Sequence, residues 1–505
     1  MVDLDGESLT IDQVIGVSSR FEEVRIDERA WESVLRSRKT IDEIIASGRI
    51  AYGVNTGFGS LLNVKIGPGQ AVQLQENLIR SHSSGVGNPL SQEHVRAIML
   101  VRLNSLIRGF SGVSQGVVES LVATLNSGLY PKVPEYGSVG ASGDLAPLAH
   151  IALSLMGEGK FIVNGSEVYA SDVLSAADIK PMQLREKDGV AFINGTSAIS
   201  GILAVEIGKA TRLLEESLAA ASMSMEALRA TLRAFSDSAV ATRKHQGQRV
   251  IARMIREILD GSRNIEKHSS TKVQDAYTVR CIPQVYGAVL DTVNYSSLVL
   301  SDEINSTTDN PIVVDDDVIS AGNFHGEPVA FICDFLSIAL TDLGNMIERR
   351  IARLVDDKLS GLPPFLIAGS GLNSGLMIPQ YTAAALCNMN KVLSFPSSAD
   401  TIPTSANQED HVSMGMNAAL KLSRIVENLE RIIAIEFLVA NQGLYFIDDE
   451  ISPAVVELSG MIRKLVPRIE SDRPFSNDIE NIIRIMRSEE FRDAVKRSGA
   501  NLVPW

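Results

Sequence analysis

Residues Leu422 to Ile435 read LSRIVENLERIIAI. Leu422, Ile425, Leu429, Ile432 and Ile435 recur at spacings of three and four, the period that lines one face of an α-helix. Similar stripes run through 200–235, 283–300 and 328–355. Long helices with apolar faces must cover one another. The expectation is therefore a mostly α fold with a long-helix bundle core over 194–445. Residues 1–193 are mixed instead. Glycine and proline punctuate them at GVNTGFG (53–59), Gly67-Pro68-Gly69 and GSVGASG (137–143), which read as turns and loops. Helical patterns lie between, at Leu74 to Arg80 and Val95 to Arg108. Phe161-Ile162-Val163, Asn164-Gly165 and Val168 suggest a small hairpin. The last stretch, 446–505, holds shorter helical pieces around Pro453, Pro467 and Pro474. No fixed-period repeat or low-complexity tract interrupts this order.

Composition narrows the function. The chain has 505 residues, 45% apolar, 21% charged and only 5% aromatic, an ordinary globular balance. Lys plus Arg number 47 and Asp plus Glu 61, a formal charge of −14 that disfavours non-specific binding to nucleic acid or membranes. The start, MVDLDGESLTID, lacks the basic and apolar regions of a secretory signal, and no run of 18 apolar residues suggests a membrane span. The three cysteines, Cys281, Cys333 and Cys387, are odd in number and far apart, which suits a reducing, cytoplasmic setting. The seven histidines (82, 94, 150, 245, 268, 325, 411) are scattered singly, with no HExxH and no CxxC, so no metal is expected. GVNTGFG lacks the Lys-Ser/Thr of a phosphate loop, and its surroundings do not read as a dinucleotide-binding unit.

Tyr136 to His150 reads YGSVGASGDLAPLAH. Ser-Gly-Asp is common turn chemistry, and Asp144 suits the cap of a helix over Leu145 to Leu155. A second reading is chemical. In a tight turn the Gly143 amide nitrogen can attack the Ala141 carbonyl carbon; loss of water closes a five-membered ring, and loss of a second water from Ser142 leaves an exocyclic methylidene. Gly143 has no Cβ to block its nitrogen. Ala141 is small, and Ser142 carries the β-leaving group.

That stretch resembles the signature of the aromatic amino-acid ammonia-lyase family, whose members carry such a 4-methylidene-imidazol-5-one. Further similar blocks follow the family order: YGVNTGFG (52–59), Ser81-His82 before Gly85-Val86-Gly87, Ile193-Asn194-Gly195-Thr196, QDAYTVRC (274–281), NSTTDNP (305–311), GNFH (322–325) and SANQEDHVS (405–413). The resemblance spans about 50 to 445. Ala276 stands where a proline is usual, Thr278-Val279 replace Ser-Leu, and Phe192 replaces a leucine; none removes a side chain with an assigned role.

The resemblance implies an α,β-elimination. The prosthetic group formed from Ala141, Ser142 and Gly143, with no external cofactor, captures the substrate amine, and Tyr52 is the base that takes the β-proton. A free phenol titrates near 10, so Tyr52 needs nearby positive charge or donors to ionise near neutrality. Arg280 offers a bidentate fork for the substrate carboxylate and Asn194 a further hydrogen bond. Tyr277 and Gln274, at spacings of three and six from Arg280, can share one helix face or a tight loop with it, and serve substrate positioning or proton transfer. Phe324 packs near the prosthetic ring or in the core.

His82 and Glu409 form a polar pair suited to an imidazole. The phenylalanine and tyrosine relatives carry Phe-Leu or His-Leu at 81–82 and glutamine at 409. The members acting on L-histidine, giving trans-urocanate and ammonia, are therefore the closer resemblance. A tyrosine or phenylalanine lyase, an aminomutase, and an inactive structural relative stay open. The family also implies a homotetramer in which Tyr52, the prosthetic ring and Glu409 come from different subunits.

Overall fold

The computed structural model describes residues 1–49, 51, 53–54, 56, 66–270 and 272–502. The fold is mostly α. Among the described residues there are twenty-one α-helices and eight short strands, the strands paired into four two-stranded ladders. Three of these ladders lie before residue 193, which is why that region reads as mixed. The hairpin forms as expected. Lys160–Val163 pairs antiparallel with Ser166–Tyr169, and Asn164 and Gly165 both hold positive φ (51° and 78°), the two-residue turn whose twist matches its strands.

The apolar stripes form four long helices: Ser197–Ala227, Ile282–Ile304, Glu327–Val355 and Gly415–Gly443. Leu422, Ile425, Leu429, Ile432 and Ile435 are all fully buried. Glu327–Val355 contains an 18-residue window of mean hydropathy 1.4, long and apolar enough by length and composition to cross a membrane, although charged residues such as Asp334 and Asp342 interrupt the helix's apolar run. In this fold 61% of that window is buried against protein.

Chain contacts divide the molecule into two discontinuous units, and neither follows the change of patterning at 193/194 or 445/446. The first unit comprises Met1–Gly208, Ser296–Asp334 and Pro396–Leu420. The helix Gln92–Ile107 is at its centre, buried on all sides from His94 to Ile107 and packed against Ile11–Ser19 and Gln115–Asn126. A helix buried all round must satisfy its charged residues internally. Arg96 does so by donating to the carbonyls of Val17 (2.7 and 3.2 Å) and Leu125 (3.0 Å), near the ends of the two neighbouring helices. Gly201 lets the first turns of Ser197–Ala227 come close to it; a Cβ there would lie 2.6 Å from the Ile98 nitrogen.

The second unit comprises Lys209–Tyr295, Phe335–Phe395 and Lys421–Trp505. Its helices are tied by buried ionic links. Arg350, fully buried, donates to Glu436 (2.7 and 3.0 Å) and to the Tyr286 hydroxyl (2.5 Å), while Ser224 also donates to Glu436 (2.8 Å). Arg212 bridges Glu216 (2.9 Å) and Glu430 (3.0 Å), and Arg487 from the C-terminal segment reaches the same Glu430.

Candidate active site

Ala141, Ser142 and Gly143 sit in a turn between the strand Pro134–Tyr136 and the helix Leu145–Leu155. Gly140 and Gly143 adopt φ of 70° and 72°, a region that glycine enters without strain. Gly143 lies so close to Gly195 that a Cβ would come within 2.2 Å of the Gly195 carbonyl oxygen. The two glycines bridge in parallel, and the Asp144 amide donates to that same oxygen at 2.7 Å. Ala141 is buried with Val412 and Met414, with Val139 packed alongside. Ser142 between them is only half-buried, and its hydroxyl donates to Glu409 Oε1 at 3.3 Å. The flanks are thus locked while the middle residue remains accessible. Residues arranged this way fit a prosthetic group made from the tripeptide: the position that must lose its side-chain oxygen is reachable, and only glycine fits at the third.

Asp144 does not cap the helix that follows it. Its main-chain oxygen accepts from Leu148, but no side-chain cap forms there. Instead Oδ2 accepts from the amides of Ala198 and Ile199 at 2.9 Å each, at the start of Ser197–Ala227, and Oδ1 accepts from Ser138 at 3.2 Å. A carboxylate is favoured at a helix N-terminus, where unsatisfied amides point outward. Complete burial still dominates and holds the Asp144 carboxyl up at about 7.

Asn194 follows the short helix Asp188–Ile193. Asp188 anchors that helix by accepting from Ser114 (2.8 and 2.6 Å) and from the Arg185 amide (2.8 Å), and Gln75 Oε1 accepts from Val190 at 3.0 Å. Asn194 Nδ2 donates to the Asn310 carbonyl at 2.9 Å, while its Oδ1 is buried without a protein partner. Gln75 Nε2 donates to the Gly53 carbonyl at 3.3 Å, beside position 52. Tyr52 itself lies outside the described residues.

His82 ends the helix Ala71–His82, with its Nδ1 3.0 Å from the Ser81 hydroxyl. Burial pulls its pKa below the usual imidazole value, and the Glu409 carboxylate works in the opposite direction, so the two share one electrostatic neighbourhood. Glu409 does not pair with His411. Its Oε2 accepts from the Thr404 hydroxyl at 2.6 Å. His411 Nδ1 instead faces His325 Nε2 at 3.3 Å, and with Glu327 these side chains place ligand-capable atoms within 4.8 Å of one another. No spacing in the sequence reveals that cluster. Phe324, beside it, is half-buried.

Tripeptide, Asn194, Glu409, His82 and Phe324 thus all belong to the first unit, and Ser142 and Glu409 meet within this chain. Gln274, Tyr277 and Arg280 belong to the second. There Tyr277 and Arg280 share the one-turn helix Tyr277–Arg280, with the guanidinium 4.5 Å from the ring centroid. Tyr277 is 69% exposed, and Arg280 Nε is buried without a protein partner. Gln274 is exposed in the irregular segment before that helix, so it shares no helix face with them. Asp275 anchors the segment by accepting from the Thr231 amide at 2.7 Å, and Arg350 donates to the Thr278 carbonyl at 3.0 Å.

A turn-borne Ala-Ser-Gly locked at both flanks, set in a mostly helical fold, is the hallmark of a class of carbon–nitrogen lyases. Residues 9–464 match the model of the aromatic amino acid lyase family, and the chain belongs to it. It is 56% identical over 494 residues to a probable histidine ammonia-lyase of Thermoplasma volcanium, covering 98% of this chain and 100% of that one. The histidine ammonia-lyase structure from Trypanosoma cruzi superimposes with a TM-score of 0.92 at 40% identity, covering 98% of this chain and 95% of that one. A tyrosine aminomutase from Streptomyces globisporus does so with a TM-score of 0.93 at 36% identity, covering 98% of both.

Proposed function

We propose that this chain is a histidine ammonia-lyase, eliminating ammonia from L-histidine to give trans-urocanate. The observation that carries the reading is the Glu409 carboxylate, whose Oε1 lies 3.3 Å from the Ser142 hydroxyl. With His82 it would form a polar pair matched to an imidazole's donor and acceptor. A phenyl ring would leave that carboxylate unpaired. The relatives from Thermoplasma volcanium and Trypanosoma cruzi, both named for histidine, support the same choice.

The 4-methylidene-imidazol-5-one formed from Ala141, Ser142 and Gly143 supplies an electrophile for the substrate amine. The chain's own side chains do the rest. Arg280 holds the substrate carboxylate, with its unpartnered Nε among the available donors. Asn194, already donating to Asn310, adds its buried free oxygen as an acceptor toward the substrate amine. Tyr52 removes the β-proton. Tyr277 and Gln274 position the substrate or move a proton, and Phe324 packs beside the ring. No external cofactor enters this reading.

The protein works as a cytoplasmic homotetramer in this reading. Support comes from an exposed apolar stripe on the helix Met377–Leu393, where Ile378, Tyr381, Ala385, Met389 and Val392 recur at helical spacing. No disulfide joins Cys281, Cys333 and Cys387, which suits a reducing compartment.

The test is to incubate the purified protein with L-histidine, L-tyrosine and L-phenylalanine in turn, measuring free ammonia and β-amino acid. Ammonia from histidine alone is the expected result. A β-amino acid product would replace this reading with the aminomutase one, which the Streptomyces structure keeps in view.

A further inference from the structure

We propose that Thr404 is a specificity-determining positioning residue. Its hydroxyl fixes the Glu409 carboxylate so that Oε1 is the oxygen presented to the substrate ring. The proposal rests on the reading of Glu409 as the imidazole-binding carboxylate.

Three observations converge on it. Thr404 Oγ1 donates to Glu409 Oε2 at 2.6 Å, while Oε1 is the oxygen that faces Ser142. Thr404 and Glu409 also form an isolated antiparallel bridge, with Thr404 N to Glu409 O at 3.0 Å and Glu409 N to Thr404 O at 3.3 Å. The chain between them is under strain: Ser405, Ala406 and Asn407 hold φ of 49°, 54° and 66° without a glycine among them. Left-handed backbone of this kind is unfavourable for residues with a Cβ and persists only where its surroundings impose it. The bridge closes the loop ends. Beyond it, the Val412 amide donates to the Thr401 hydroxyl and the Met414 amide to the Val139 carbonyl, both at 2.9 Å.

The chemistry follows from counting hydrogen bonds. A glutamate side chain held only at its backbone samples several staggered rotamers. Bonding Oε2 to Thr404 removes that freedom and satisfies one carboxylate oxygen inside the protein. The other oxygen accepts from the Ser142 hydroxyl, a donor that ring formation removes; it then depends on the substrate for a donor, which an imidazole N–H supplies and a phenyl ring does not.

Thr404→Val keeps the β-branched shape and removes the hydroxyl; Thr404→Ser restores it. With L-histidine, Thr404→Val is expected to lose about tenfold in kcat/KM, mainly through KM, as suits loss of one hydrogen bond to a charged group. Thr404→Ser should return to within about threefold of the parent. Binding of 3-(imidazol-4-yl)propanoate, followed by calorimetry, should weaken in parallel. In a Glu409→Gln background the Thr404→Val effect should shrink to less than about twofold, because the group it acts through has changed. Near-parental kcat/KM in Thr404→Val, or the same tenfold loss in both backgrounds, would overturn the assignment, the second by marking Thr404 as structural only. A parent protein that releases no ammonia from L-histidine refutes the functional reading and the Thr404 assignment together. Full turnover of histidine by both parent and Thr404→Val refutes the Thr404 assignment alone.

Discussion

Asp144 shows how one residue can be read correctly for type and wrongly for partner. Capping chemistry was legible from its identity, but the first amide it accepts from lies 54 positions away, at Ala198, and local sequence cannot name so distant a partner. Its burial has a pH signature. Between the ordinary carboxylate pKa of about 4 and the value of about 7 in the folded chain, the folded state holds a proton that the unfolded state has released. The stability contributed is full at the acidic end and is lost as pH rises through 7. Urea midpoints of the parent should therefore fall more steeply from pH 5 to pH 8 than those of Asp144→Asn, and a gap that widens with pH would contradict this. Ser142→Ala should remain folded, lose the near-ultraviolet absorbance of the prosthetic ring, and lose activity by orders of magnitude. Unchanged turnover would reduce Ser142 to a turn residue. Glu409→Gln should weaken histidine turnover by about tenfold or more while leaving rejection of tyrosine and phenylalanine nearly as it was, since the pocket shape is kept; a competition assay with the three amino acids decides it.

Helices were the most legible feature because the signal for burial repeats within the segment itself. The stripe Leu422, Ile425, Leu429, Ile432 and Ile435 is fully buried, as its spacing requires. Glu436, the next residue in the same run, is just as buried, and nothing in its neighbours says why; its partner Arg350 lies 86 positions away on another helix. The same limit concealed His325 behind His411; Thr404 is only five positions from Glu409, and what hid it was the irregular left-handed backbone between them. The Arg350–Glu436 pair makes a clear prediction. Removing one partner strands a buried charge, so Arg350→Met should lower the unfolding free energy by about 3–5 kcal/mol in denaturant titrations. The double variant Arg350→Met with Glu436→Leu should recover most of that loss, and a double variant no more stable than the single would show that the helices need the charges themselves.

For the whole molecule, the helix Met377–Leu393 carries an apolar stripe that its own chain leaves exposed, with Val392 65% accessible. Contiguous apolar surface of this kind marks an interface. Light scattering should report a tetramer for the parent. A Met389→Lys, Val392→Asp double variant should give smaller species with little or no activity. A stable, fully active monomer would separate the stripe from assembly.

Each compact unit is drawn from three separated stretches of the chain. That arrangement bears on inheritance. A single crossover between two related genes cannot transplant either unit whole; it would splice part of one parent's unit onto part of the other's. Surviving hybrids would be those whose parents agree at the buried contacts linking the stretches, such as Asp144 with Ala198 and Arg350 with Glu436. New substrate choice in such a chain is then more readily reached by single changes in its loops, the 401–413 segment foremost, than by exchange of modules.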